Sequence, residues 1–70
     1  MNGKYIWQAA YLAAVYETNE ELMLGRILEA RAAIEQRLLV PMEQNSPEYR
    51  EIRAAQKALE VLKSEWVQRV

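Results

Sequence analysis

The sequence predicts an all-α protein in which an antiparallel helical hairpin follows an apolar N-terminal helix. Of its 70 residues, 51% are hydrophobic and only two are Gly and two Pro, a composition typical of long regular elements. Apolar residues recur at intervals of three and four, which is the period of a helix, and no segment has the alternation of a strand. We expect one helical domain over residues 1–70 that forms a helical bundle as a homodimer.

The first predicted helix runs from about Lys4 to Glu17. Four alanines between Tyr5 and Tyr16, with no Gly or Pro, favour a helix because alanine is the strongest helix former. Thr18 and Glu21 then have the spacing of a capping box, which indicates that a new helix begins there. One unbroken helix extending to Leu39 is the alternative.

The second predicted helix runs from about Glu20 to Leu39 and is ended by Pro41. Ser46 is the expected N-cap of a third helix, from about Pro47 to Gln68, because Ser favours the cap and Pro the first helical position. The short connection between these two helices makes them antiparallel neighbours.

Helical periodicity predicts which faces of the second and third helices are buried. The third helix has one coiled-coil seam, and the second has two apolar flanks that call for two packing partners. The seam consists of Ile52, Ala55, Leu59, Leu62 and Trp66. One flank of the second helix consists of Met23, Ile27, Ala30, Ile34 and Leu38, and the other of Leu24, Leu28 and Leu39.

The first helix is apolar on all sides, so one hairpin covers only part of it. The uncovered part is an aromatic patch of the kind that marks an interface, and alanines within it let another backbone approach closely. We expect this surface to bind a second copy, in a twofold homodimer or a higher helical oligomer, and it can also offer a groove to a helix of another protein. The predicted interface residues are Tyr5, Ile6, Trp7, Ala9, Ala10, Leu12, Ala13 and Tyr16.

Arg31 and Glu35 lie four residues apart, between the two flanks of the second helix. One interpretation is an ion pair at a seam between subunits, which fixes the register of the helices. The other is a pocket for an anionic ligand in a small binding or catalytic bundle.

The composition excludes several kinds of chemistry. The sequence contains no Cys and no His, so disulfides, the usual zinc sites and nucleophilic catalysis with a His base are absent. We therefore predict no catalytic residue, no metal and no cofactor. A net charge of −1 gives no field for phosphates, so nucleic acid is not an expected partner.

The apolar N-terminal segment does not predict a membrane span or a signal peptide. Tyr5 to Tyr16 forms about 18 Å of helix, against roughly 30 Å for a bilayer core. Gln8 and the tyrosines interrupt the apolar run that follows Lys4, so a secretory signal is disfavoured. We expect a cytoplasmic protein that does not bind membranes.

Two segments carry a resemblance. The stretch AAYLAAVYET from Ala9 to Thr18, followed by RILEARAAIEQRL from Arg26 to Leu38, resembles a group of small bacterial all-helical proteins. The resemblance implies no activity and no site. The residues themselves favour a non-enzymatic interaction or assembly module, with the small-ligand bundle as the alternative.

Overall fold

Three helices form the protein, and the predicted all-α fold class is confirmed. The computed structural model describes residues 5–69, with side chains up to residue 66. In chain order the helices are α1 (Ile6–Val15), α2 (Glu20–Leu38) and α3 (Pro47–Arg69), and the described residues contain no strand. Because α1 ends at Val15 and residues 17–19 are not helical, the alternative of one unbroken N-terminal helix is wrong.

The helix starts confirm one predicted cap and correct another. Ser46 caps α3 as predicted, since its Oγ accepts a hydrogen bond from the Tyr49 amide at 3.2 Å. The N-cap of α2 is Asn19 instead of Thr18, and the Asn19 Oδ1 accepts from the Glu21 amide at 2.8 Å. The capping box predicted on Thr18 is therefore wrong. Asn is at least as good a cap as Thr, and it stands one residue closer to the first turn.

The beginning and end of α1 also differ from the prediction. The predicted start at Lys4 lies outside the described residues, and the helix begins at Ile6, where the Gln8 side chain accepts from the Tyr5 amide at 3.0 Å. It ends at Val15, two residues before the predicted end at Glu17. The side chain of Glu17 instead accepts from the Asn19 amide at 3.1 Å and helps to form the turn into α2.

One hydrophobic core joins the three helices. The stripes predicted for α2 and α3 are confirmed as its walls, with Leu38, Leu62 and Trp66 packed against it at partial burial. Helix α1 packs mainly on α2, and its contact with α3 is much smaller. The buried residues are Trp7, Ala14, Met23, Ile27, Ala30, Ile34, Ile52, Ala55 and Leu59.

The second apolar flank of α2 is not covered by the chain itself. Leu24 and Leu28 are about half exposed and Leu39 is 80% exposed. Of the two flanks predicted for this helix, one therefore packs against both α1 and α3, while the other faces outward. The chain keeps a second apolar surface in addition to that of α1.

Neither α2 nor α3 is apolar enough to cross a membrane, and α1 is too short, so no described helix is a candidate span. This agrees with the length argument made for the N-terminal segment. The cytoplasmic location stays a prediction.

Gly25 lies in the interior of α2, and a Cβ built on it meets no atom within 4 Å. We predict that Gly25→Ala raises the free energy of unfolding by about 0.5–1 kcal/mol, because alanine loses less backbone entropy than glycine in a helix. The measurement is urea unfolding followed by circular dichroism at one fixed protein concentration.

The matched control is Ala32→Gly, at an exposed position of the same helix, which should lower stability by a similar amount. A destabilising effect of Gly25→Ala would contradict the open environment of this glycine.

Candidate functional site

Trp7 fixes α1 in the fold by burying its ring within its own chain. The side chain is 2% exposed, and the indole N–H donates to the Glu48 carboxylate at 3.1 Å. Tyr5 stacks on the ring with centroids 5.9 Å apart, and Tyr11 meets it edge-on at 6.3 Å. The prediction that Trp7 belongs to an intermolecular surface is therefore corrected, because its own chain covers the ring.

The Glu48 carboxylate joins all three helices. Arg37, in the last turn of α2, donates to it through Nε and Nη2, each at 2.8 Å, in a two-pronged ion pair. Ser46 and Pro47 start α3 in the position that brings Glu48 to Arg37 and to Trp7 of α1. One carboxylate thus receives three donors from two other helices.

The charge state of Glu48 follows from these donors. The hydrogen bonds from Arg37 lower the pKa of the Glu48 carboxyl, and the Trp7 bond adds to them, while partial burial works in the opposite direction. The same pairing raises the pKa of Arg37. The ionised pair of Glu48 and Arg37 is therefore the stable form near neutral pH. At the Tyr5 hydroxyl, burial and then the Glu51 carboxylate raise the pKa.

A second ion pair holds the other end of α1. Arg26 of α2 donates from Nε to the Glu17 carboxylate at 3.0 Å, just beyond the end of α1. The hydrogen bond from Arg26 lowers the pKa of Glu17, and the Asn19 amide contributes to the same shift. Helix α1 is thus held to α3 near its start, through Trp7 and Glu48, and to α2 just beyond its end, through Glu17 and Arg26.

Because the inner side of α1 is fixed, its outer side is defined. Ile6 is 97% exposed and Tyr16 is 75% exposed, and Ala9 and Ala13 lie between them on the same exposed face. We call these four residues the α1 outer face. Of the other residues predicted for the interface, Tyr5, Ala10 and Leu12 are partly buried within the chain.

An apolar groove lies where α1 and α3 diverge, on a different side of α1 from the outer face. It has a volume of about 360 Å³, and the glutamate at its rim is its single charged residue. Tyr11 and Val15 form its α1 wall. The residues on α3 are Ala58, Val61, Leu62 and Glu65.

Arg31 and Glu35 are both exposed and do not pair with each other. No ion pair within 4.0 Å joins either residue to another side chain in the described part of the chain. They line a cleft of about 650 Å³ between α2 and α3, whose remaining charged residues are Arg53, Lys57 and Glu60. The ion pair between subunits predicted for these two residues stays a prediction, because it needs a second chain.

Sequence reasoning missed the contact between Arg37 and Glu48. A signal was present, since a base in the last turn of one helix and an acid in the first turn of the next face each other in an antiparallel hairpin. The Trp7 bond to the same carboxylate spans 41 residues, and no local pattern indicates it. These three residues are structural, because they bind one another.

Within residues 5–69, no three acidic, His or Cys side chains come together as possible metal ligands.

The chain matches no protein-family model, no curated protein and no solved structure. Its function is therefore inferred from its own residues and their geometry.

We predict that Glu48→Gln lowers the free energy of unfolding at pH 7 by about 2 kcal/mol, since the amide cannot accept all three charged or buried donors. The variant should also lose part of the wild-type pH dependence. A carboxyl with a lowered pKa stabilises the fold above its unfolded pKa of about 4.3, and this stabilisation is lost as the pH falls through the folded value.

The measurement is urea unfolding between pH 7 and pH 3. Glu43→Gln, which removes an exposed carboxylate without an ion pair among the described residues, is the control and should keep the wild-type loss in acid. Glu17 contributes to the loss in the same direction, so the Glu48 variant keeps a residual slope. Identical pH profiles for the wild type and Glu48→Gln would contradict the role of this carboxylate.

Proposed function

We propose that the protein is a non-enzymatic assembly module that self-associates through the α1 outer face. The observation that carries the proposal is the contrast between the two sides of α1. Trp7 and Ala14 are locked into the core, while Ile6 and Tyr16 are large apolar side chains left in solvent. Exposed apolar surface of this kind on a small chain marks an interaction site.

The spacing on the outer face fits a partner helix. Ile6, Ala9, Ala13 and Tyr16 follow one another at intervals of three, four and three, which is a coiled-coil seam. The pattern is the same read from either end, with large residues outside and alanines inside. An antiparallel twofold pair therefore sets Ala9 against Ala13 of the partner subunit, and Ile6 against Tyr16 of the partner subunit.

This arrangement suits the residues at each position. The alanines allow the two backbones to approach closely at the centre, where larger side chains would hold them apart. Ile6 and Tyr16 supply most of the apolar area at the two ends, and the Tyr16 hydroxyl can stay in water. A second copy is therefore a better match for this face than an unrelated helix, because the face complements itself.

The contact along α1 is short. Its ten residues give a helix about 15 Å long, whereas a stable interface buries roughly 800 Å² on each partner. Interfaces smaller than this are typical of weak association, so we expect the α1 pair to have about micromolar affinity.

The alternative of a small-ligand or catalytic bundle rests on Arg31 and Glu35. Their cleft has room for a ligand, but two carboxylates stand among its three cations and no charged side chain there is buried. With no His or Cys in the sequence, the usual bases and nucleophiles are also missing. The assembly function is the better supported of the two.

We predict that the wild type sediments as a dimer or larger species at about 10–100 µM, a range in which contacts of micromolar affinity are populated. Ala13→Glu should weaken association through the α1 outer face at least tenfold, because a carboxylate would be buried at the centre of the pair. Analytical ultracentrifugation over a concentration series measures both.

The control is Gln44→Glu, which adds a carboxylate at an exposed position of the α2–α3 connection, away from α1 and from the apolar flanks of α2, and should leave association intact. Circular dichroism checks that both variants keep their helices. A wild type that stays monomeric throughout the series contradicts the proposal, as does equal association of the wild type and Ala13→Glu.

The orientation of the pair has its own test, because a chain without cysteine accepts single thiols cleanly. We predict that an equimolar mixture of Ala9→Cys and Ala13→Cys forms an intermolecular disulfide faster than either variant alone. The antiparallel arrangement sets these two positions opposite each other, within the few ångströms that a disulfide spans. Non-reducing electrophoresis after mild oxidation measures the yields, and faster pairing of identical variants would indicate a parallel arrangement.

A further inference from the structure

The uncovered flank of α2 carries a second surface that complements itself. Leu28, Arg31, Glu35 and Leu39 lie on it within about 80° of the helix circumference, at 3.6 residues per turn. Leu39 belongs to this face because its backbone, at φ −66° and ψ −23°, continues the helical geometry beyond Leu38. All four side chains are exposed in the single chain.

We propose that this flank binds a second copy of the chain as an antiparallel helix pair with two reciprocal ion pairs. A twofold axis near residue 33 sets Arg31 against Glu35 of the partner subunit and Glu35 against Arg31 of the partner subunit. The same axis sets Leu28 against Leu39 of the partner subunit, and the reverse. One twofold rotation thus places opposite charges against each other and leucine against leucine.

The state of the charges in the single chain supports a second copy as the occupant. The other arginines of α2, Arg26 and Arg37, each hold a glutamate of their own chain at 3.0 Å or less. Among the described residues, Arg31 and Glu35 have no ion-pair partner, although they lie on the same helix one turn apart. An arginine placed before a glutamate is also the weaker order for a pair within one helix. A partner that offers the same two charges in reverse order satisfies both.

The surroundings of the pair extend the contact. The segment from Leu28 to Leu39 is about 18 Å long, and the cleft between α2 and α3 runs alongside it. Arg53, Lys57 and Glu60 line the α3 side of that cleft and would lie at the polar rim of the interface. An apolar and ion-paired centre with a charged rim is the usual composition of such contacts.

This surface is distinct from the α1 outer face and does not depend on it. Two different twofold contacts on one chain build a closed tetramer when their axes cross at right angles, a larger closed assembly at certain other angles, and an open chain when the axes do not meet. The inference therefore extends the proposed dimer to a higher assembly.

The test uses charge reversal in a background that carries Ala13→Glu, so that the α1 contact is removed. Sedimentation is measured at low ionic strength, where exposed charges are least screened. We expect the background protein to be dimeric. Arg31→Glu and Glu35→Arg should each weaken the dimer at least tenfold, because each places like charges opposite one another.

Two combinations should restore the contact. An equimolar mixture of the two single variants should form a heterodimer, since one chain then presents two acids and the other two bases. The double variant Arg31→Glu with Glu35→Arg should form a homodimer again. Merely structural effects of the substitutions would not be rescued in this way. Circular dichroism of each variant checks that the helices are retained.

Other outcomes overturn the inference. A monomeric background protein, or single variants that associate as well as the background, would show that this flank does not pair. If the Ala13→Glu background protein is monomeric while the wild type associates, the α1 proposal stands and only the α2 pair is wrong. If the background protein and the wild type associate equally, only the α1 contact is wrong. Saturable binding of inorganic phosphate that is lost in Arg31→Leu, without self-association, would assign the cleft to an anion instead.

Discussion

The Glu48 carboxylate is the contact on which the arrangement of the three helices depends. It receives both prongs of the Arg37 guanidinium and the indole N–H of Trp7, so the end of α2, the start of α3 and the start of α1 meet at one group. Bonds to an ionised acceptor are stronger than neutral ones, and the two-pronged geometry also fixes direction. Packing alone would let an apolar helix such as α1 adopt several orientations about its axis, whereas the directed bond from Trp7 allows only one orientation.

The orientation of α1 decides which of its side chains face the solvent. With Trp7 and Ala14 facing inward, Ile6 and Tyr16 face outward, and no other helix of the described residues covers them. A chain of 70 residues buries a smaller share of its surface than a larger domain does, so apolar area is left over. The surplus lies on two ordered helix faces, on α1 and on α2, and each face is regular enough to bind another helix.

The sequence was informative where hydrophobic residues mark one side of a helix. The stripes from Met23 to Ile34 and from Ile52 to Leu59 predicted the core of α2 and α3, and Ser46 with Pro47 predicted the start of α3. It was uninformative for α1, where every side is apolar, so the sequence pattern does not indicate which side is buried. The burial of Trp7 was therefore not predicted, and the glutamate that its indole contacts lies 41 residues away in the sequence. Thr18 and Asn19 are adjacent capping residues, and local spacing could not choose between them.

The arginines of α2 differ in whether they are paired within the described part of the chain. Arg26 and Arg37 lie near its ends and pair with glutamates that position α1 and α3, so their charges are used within the chain. Arg31 and Glu35 lie between them, on the exposed flank, and form no ion pair with any side chain of residues 5–66. An unpaired charge beside exposed leucines opposes burial against any apolar surface, because it would lose its hydration without compensation. In the α2 pair that we propose, the partner subunit offers the opposite charges at matching positions and removes that cost, so Arg31 and Glu35 would disfavour other contacts as well as favour this one.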